Sequence, residues 1–130
     1  LRGASFRRAI LCGCKGMGAD FSEGYFADVC SEKCNYSYAN FSGSKWKAAR
    51  FAGCELSEVS LSECAVKGLE LQKVRLARAE IYGTMLKGVD LTDCDLAGLV
   101  LSADLRELRG ATVSSFHAAA FLRALGINVK

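Results

Sequence analysis

The chain contains no proline, one histidine and one tryptophan, and no apolar run that approaches the length of a membrane span. Each shortage excludes something. A chain without proline can keep nearly every N–H in one uninterrupted hydrogen-bonded ladder. With His117 as the one imidazole, no base, orienter and oxyanion donor can converge in the usual way, and His117 reads as an exposed residue of a surface helix. No apolar stretch reaches the roughly eighteen residues that a spanning helix needs, so no membrane partner is expected. The net charge of +3 is too mild for a strongly basic nucleic-acid binder or an acidic decoy, and only the placement of charge can inform.

What the sequence has is a period of five. Leu1, Phe6, Leu11, Gly16, Phe21, Phe26, Ser31, Tyr36, Phe41, Trp46, Phe51, Leu56, Leu61, Val66, Leu71, Leu76, Ile81, Leu86, Leu91, Leu96 and Leu101 stand five apart, and only Gly16 and Ser31 are not large and apolar. Two positions before each centre stands an uncharged, mostly small residue, as with Ala39 before Phe41 and Val59 before Leu61. Five steps of a helix drift off one face, and five steps of a strand reverse the face, so the chain must bend once per repeat. Four such bends close a square. Squares stacked at about 4.8 Å form a solenoid filled by the centres.

The tripeptides Ala19-Asp20-Phe21, Ala39-Asn40-Phe41 and Cys94-Asp95-Leu96 resemble the motif of the pentapeptide-repeat family. That resemblance, over residues 1 to 101, implies an all-β, right-handed quadrilateral β-helix with four repeats per coil, hence about five coils. One domain is expected: residues 1–113 as the β-helix and closing strand, and 114–130 as a C-terminal capping helix and tail. The first residue is not Met and stands in mid-coil, which points to a partial or processed chain with a bare lower edge. Glycines are expected at corners that need positive φ. Gly13, Gly16 and Gly18 have neither dinucleotide nor P-loop spacing and read as a dented corner, with Ser31 as a second dent.

Cys14, Cys34, Cys54, Cys64 and Cys94 occupy the small inward position, and all but Cys64 share a column with Val74. They read as buried small hydrophobes suited to a reducing cytosol, with no disulfide framework, cofactor or metal. Cys12 and Cys30 fall outside that position and are the more reactive pair.

Sorting outward residues by face gives a basic wall of Arg7, Arg8, Lys45, Lys47, Lys67 and Lys87 against the lone acid Asp28. The adjoining face carries Asp20, Glu23, Glu63 and Glu80 against Arg2. After Leu101 the period stops. Ser114 and Ser115 are N-cap residues, and Phe116 to Leu125 reads as a helix closed by Gly126. Phe121, Leu122 and Leu125 form one stripe and Phe116 lies on the other side, so Phe116 either meets another chain or tucks into the last coil.

The segment Leu122 to Val129 resembles the C-terminal ends of Qnr-type quinolone-resistance members, which implies a tail-to-tail homodimer through Phe116, Phe121, Leu122, Leu125, Ile127 and Val129. Qnr-type members protect bacterial type II topoisomerases by imitating duplex DNA, and several carry long loops; the unbroken register from Cys34 to Leu101 leaves no room for one. The resemblance implies a bacterial, cytoplasmic, non-enzymatic protein that presents charged faces to a macromolecule, with DNA gyrase or topoisomerase IV as the leading partner. A scaffold for another protein is the alternative. A third class, an anion or nucleic-acid binder, would use Lys45, Lys47, Lys67 and Lys87, although Tyr25 alone could stack a base, which disfavours direct nucleic-acid binding.

Overall fold

The structure is a computed structural model that describes residues 2–130. Leu1, a candidate centre, lies outside the described residues. Short three-residue strands alternate with corners: β1 (Ser5–Arg7), β2 (Ile10–Cys12), β3 (Tyr25–Ala27), β4 (Cys30–Glu32), β5 (Lys45–Lys47), β6 (Arg50–Ala52), β7 (Ala65–Lys67) and β8 (Glu70–Gln72). They form two parallel four-stranded sheets, ordered β1-β3-β5-β7 and β2-β4-β6-β8. Partners are twenty residues apart throughout, as in Phe6↔Phe26↔Trp46↔Val66 and Leu11↔Ser31↔Phe51↔Leu71.

The other two walls are held by single bridges, Lys15↔Asn35↔Glu55↔Arg75↔Asp95 and Asp20↔Asn40↔Ser60↔Glu80↔Val100. The result is a four-walled parallel β-solenoid. Its coil count is slightly lower than the repeat suggests: the strand ladders have four rungs, and the coil above them keeps only the bridges to Asp95, Val100 and Thr112.

The centres point inward. From Phe21 to Leu96 every centre is buried except Leu61 and Val66, which are half-buried, and Leu56, Ile81 and Leu91 are at most 1% exposed. Small residues two before the centres line the same interior; Ser44, Cys64 and Thr84 make a file in which the Thr84 hydroxyl accepts the Cys64 N–H at 3.0 Å. The Trp46 indole N–H donates to the Ser44 hydroxyl at 2.6 Å, so its one polar atom is satisfied inside the core.

From Gly3 to Gly98 every fifth residue except Asp93 sits at positive φ, and glycine fills only about half of these corners. In one corner column Arg8, Asp28 and Ala48 (φ 51, 54 and 55) come first, and Gly68 and Gly88 (φ 67 and 81) follow above them. The left-handed conformation costs an L-residue about 1–2 kcal/mol. The inter-coil bonds on either side of the corner outweigh that cost, such as Ala48 N–H to Lys67 O at 2.9 Å.

The top is closed by a different device. A single 3-10 turn, Arg106–Leu108, carries Glu107, which is fully buried. Lower in its column, Gly43 N–H bonds Ser62 O and Glu63 N–H bonds Tyr82 O. At the last coil Gly83 N–H instead bonds the Glu107 carboxylate at 3.0 Å, and the same carboxylate accepts the Ser102 hydroxyl at 2.6 Å and the Ser102 N–H at 3.2 Å. Burial alone would raise the Glu107 pKa, but these donors outweigh it and bring the pKa down to about 2.

The helix α1 (Ser115–Ala124) follows, one residue earlier at each end than the sequence pattern suggests. Ser114 caps it: its hydroxyl accepts the His117 N–H at 3.1 Å, and its own N–H donates to His117 Nδ1 at 3.2 Å. With Nδ1 accepting, the proton sits on Nε2, which donates to the Cys94 carbonyl at 2.8 Å. His117 is therefore not the exposed surface residue that its surroundings in the sequence suggest. It is buried and pins the cap to the last full coil.

Candidate interaction surfaces

The basic wall lies on the β1-β3-β5-β7 sheet. Register stacks Arg7, Ala27, Lys47 and Lys67 in one outward column, with Lys87 one coil further on. Lys47 and Lys67 are neighbouring rungs about 4.8 Å apart, and Lys45 stands two residues from Lys47 on the same side, about 6.6 Å away. All six expected cations are exposed.

Among the described residues none of these six has an ion-pair partner. The four ion pairs among the described residues belong to Arg2, Arg75 and Arg78: Arg2 with Glu23 at 2.9 Å, Arg75 with Glu55 and Asp95 at 3.6 and 3.5 Å, and Arg78 with Glu58 at 3.1 Å. A column of like charges on adjacent rungs is destabilising by itself. The wall is thus a set of cations held together by the fold, and its one acid, Asp28, is ion-paired with none of them. Arg7 is the exception in one sense, since its guanidinium covers the Tyr25 ring at 5.1 Å. The one aromatic able to stack a base is therefore already covered.

One cation was not legible from the repeat. Arg109 is exposed and adjoins Gly110, on which a Cβ would stand 3.5 Å from the Lys87 Cα.

The acidic face is weaker than its sequence suggests. Asp20 is exposed, and its carboxylate accepts the Ser22 N–H at 2.9 Å and the Ser22 hydroxyl at 2.5 Å, bonds that lower its pKa and keep it charged. Glu23 is neutralised by Arg2. Asp20, Glu63, folded over Gly83, and Glu80 are left without an ion-pair partner among the described residues.

At the cap, Phe116 does not tuck into the last coil: it is 78% exposed. Leu122, Leu125 and Ile127 are also exposed, whereas Phe121 packs against the core and Val129 is half-buried. A groove lies between α1 and the Thr92–Leu99 stretch, with Phe116 at its edge and His117 and Ala120 on its wall.

The thiols do not form a reactive cluster. Burial pushes Cys54, Cys64 and Cys94 upward, Cys94 to about 11, so at neutral pH they are protonated fillers. Cys14 departs from expectation because it is exposed in the first coil, as Cys12 is, while Cys30 is half-buried. Among the described residues no three His, Cys, Asp or Glu side chains converge as a metal site, and no helix is long and apolar enough to cross a membrane.

A four-walled solenoid with twenty-residue coils and flat charged walls defines a class of repeat protein. The family model for pentapeptide repeats matches residues 34–68 and 60–98, half of the chain, and the chain belongs to that family. No curated protein sequence matches it. Among solved structures it is similar to full-length QnrB1, a plasmid-mediated fluoroquinolone resistance protein, at 18% identity over 97% of this chain and 84% of that one, with a TM-score of 0.38. It is also similar to HetL, a pentapeptide repeat protein involved in heterocyst differentiation regulation from Nostoc sp. strain PCC 7120, at 17% identity, 86% and 60% coverage and a TM-score of 0.36. A third likeness is to a pentapeptide repeat protein of the Arabidopsis thaliana thylakoid lumen, at 24% identity, 72% coverage of each chain and a TM-score of 0.26.

Proposed function

We propose that the chain is a non-catalytic interaction rod that docks a macromolecule with an acidic surface on its basic wall. The observation that carries this reading is the unneutralised column of Lys47, Lys67 and Lys87, flanked by Lys45, on a wall with no ion pairs of its own among the described residues. A rigid parallel ladder fixes the spacing of these charges before binding, so little ordering cost attaches to them on association.

Family resemblance makes a bacterial type II topoisomerase, DNA gyrase or topoisomerase IV, the first partner to test in a cytoplasmic setting. The test is gyrase supercoiling with and without a quinolone. Inhibition or drug protection that is lost in Lys47→Glu/Lys67→Glu is the expected result; an unchanged response across micromolar protein removes the topoisomerase and leaves a scaffold for another acidic protein. Protection lost instead in Glu63→Lys/Glu80→Lys would move the contact to the acidic wall, where it would act by imitating DNA. Homodimerisation through Phe116, Leu122, Leu125 and Ile127 belongs to the same proposal, and Phe116→Asp should lower the sedimenting mass to that of a monomer.

The lysine column also favours a second reading, direct anion binding. DNA retention at low salt that weakens steeply as salt rises would support it, and no retention at low salt would remove it. The covered Tyr25 ring argues against readout of single-stranded bases.

A further inference from the structure

On the wall that ends at Asp95, each coil below the last gives two N–H groups to the coil above. Leu56 and Glu58 donate to the Arg75 and Ala77 carbonyls at 2.8 and 2.9 Å, Leu76 and Arg78 donate to those of Asp95 and Ala97 at 2.8 Å, and the two lower rungs do the same. The series then stops. Among the described residues the N–H groups of Leu96 and Gly98 meet no acceptor, although Gly98 keeps the corner conformation of the rungs beneath it (φ 66). Elsewhere at the top the Leu86, Gly88 and Leu91 N–H groups do find carbonyls, those of Glu107, Gly110 and Thr112.

The cap replaces only half of the missing rung. One coil lower the Val74 carbonyl takes the Asp95 N–H at 3.0 Å, and the Cys94 carbonyl, in the same place on the last coil, takes His117 Nε2 at 2.8 Å. The edge therefore points at α1, and the ladder aims the Leu96 and Gly98 N–H groups the same way. Between them and the helix lies the groove already described, of 680 Å³, which both residues line. On its helix side stand Ala120 and Ala124, both exposed, so no long side chain closes it there.

Charge says what would fill it. The outward column of this wall alternates in sign, with Arg75 between Glu55 at 3.6 Å and Asp95 at 3.5 Å. The place above Asp95 is vacant, and Asp93, exposed on the same groove, has no ion-pair partner among the described residues. A cation continues the alternation. The inward place above Leu96 continues the file of apolar centres Leu56, Leu76 and Leu96.

We propose that this edge docks an extended segment of a partner protein as one further parallel rung, with a lysine or arginine above Asp95, an apolar residue above Leu96, and two of its carbonyls on the Leu96 and Gly98 N–H groups. Strand addition of this kind draws affinity from main-chain bonds and selectivity from alternate side chains. Because α1 lies across the groove, one strand enters and no second coil can stack on it. The site lies apart from the basic wall and goes beyond the reading given for it, since it takes a basic ligand where that wall takes an acidic one.

The probe is the peptide acetyl-Ser-Arg-Leu-Ser-Gly-amide, set against acetyl-Ser-Glu-Leu-Ser-Gly-amide, with the amide shifts and hydrogen exchange of Leu96 and Gly98 as readouts. The arginine peptide should shift both amides saturably, slow their exchange, and bind about tenfold more tightly than the glutamate peptide, one exposed attraction being exchanged for a repulsion. Asp93→Asn/Asp95→Asn should narrow that gap, and Ala120→Trp, at an exposed position of α1, should abolish binding. Lys47→Glu/Lys67→Glu should bind the peptide as the unaltered chain does, so that this site and the basic wall stand or fall separately. Absence of a saturable shift at millimolar arginine peptide overturns the site, as does undiminished binding by a folded Ala120→Trp chain. Equal affinity for the two peptides in the unaltered chain overturns the basic class, whether or not Ala120→Trp folds. Slow exchange of both amides without any peptide also overturns it, and loss of that protection on dilution would identify a second copy of the chain as the occupant.

Discussion

The lower and upper coils share one backbone and differ in what fills them. Below Leu56 the centres are mostly rings: Phe6 stacks on Phe26 at 5.4 Å, Phe21 on Phe41 at 5.1 Å, and Tyr36, Trp46 and Phe51 meet them edge-on or tilted. Above it the centres are Leu56, Leu61, Val66, Leu71, Leu76, Ile81, Leu86, Leu91 and Leu96. The ladder bonds are as short in one half as in the other, for example Tyr25 N–H to Ala4 O and Glu70 N–H to Ala49 O, both at 2.9 Å. The interior is not. Branched aliphatic side chains interlock and leave Leu91 fully buried, whereas flat rings stack in pairs, and Tyr36 leans over Gly16, where a Cβ would come within 2.8 Å of its Cδ1, and meets the Ser31 hydroxyl at 3.1 Å. The coil thus tolerates many large centres, and side-chain shape decides how the inside is filled.

The largest expected effect is in the aliphatic half. Leu71→Lys should prevent folding, because a charged amine would replace a buried centre with no acid to pair it; native circular dichroism and a cooperative melt in that variant would show that the register tolerates a charge there. Next, Leu91→Ala should cost about 3 kcal/mol and Leu11→Ala, at a half-buried centre of the first coil, about 1 kcal/mol, read from urea midpoints. Equal losses would dissolve the distinction between the halves.

The top closure comes third. Glu107→Ala should cost about 2 kcal/mol by leaving the Gly83 and Ser102 donors unmet. In the unaltered chain the folded pKa lies below the ordinary carboxylate value, so this contribution is present above about pH 4.5 and is lost as the pH falls toward 2. Acid melts of Glu107→Ala should therefore show a shallower pH dependence in that window. The smallest effect is at the corners: Ala48→Gly should stabilise by about 0.5 kcal/mol and Gly68→Ala, one rung above, should destabilise by about 1 kcal/mol, since both positions are left-handed.

The period of five made the walls, the inward cysteines and the basic column legible, because it assigns every residue a face without knowledge of any contact. It could not show what a side chain does across columns. Tyr36 was readable as a centre, yet its bridging of Gly16 and Ser31 depends on a neighbour twenty residues away and another on a different wall. His117 stood three residues after Ser114, the spacing of a capping box, but the usual partner there is Glu or Gln. An imidazole in that place gave no sign that its far nitrogen would reach Cys94. The acidic wall looked stronger in the sequence because Glu23 appears free there. Its ion pair with Arg2 is made only once the coils stack. Non-glycine corners were hidden for a similar reason, since the strain is local and its compensation lies in the next coil.

A parallel ladder has no natural length. Each coil offers its donors to the coil above, so a solenoid is a polymer that adds units at an open end, and any stray strand could serve as the next monomer. Glu107 acts as a chain terminator: its carboxylate takes the Gly83 N–H that an incoming carbonyl would need, and it brings a negative charge where a neutral acceptor would have propagated growth. Through that glutamate, and the Glu107, Gly110 and Thr112 carbonyls that take the Leu86, Gly88 and Leu91 N–H groups, elongation in the upward direction is stopped chemically as well as sterically, and the rod acquires a defined end.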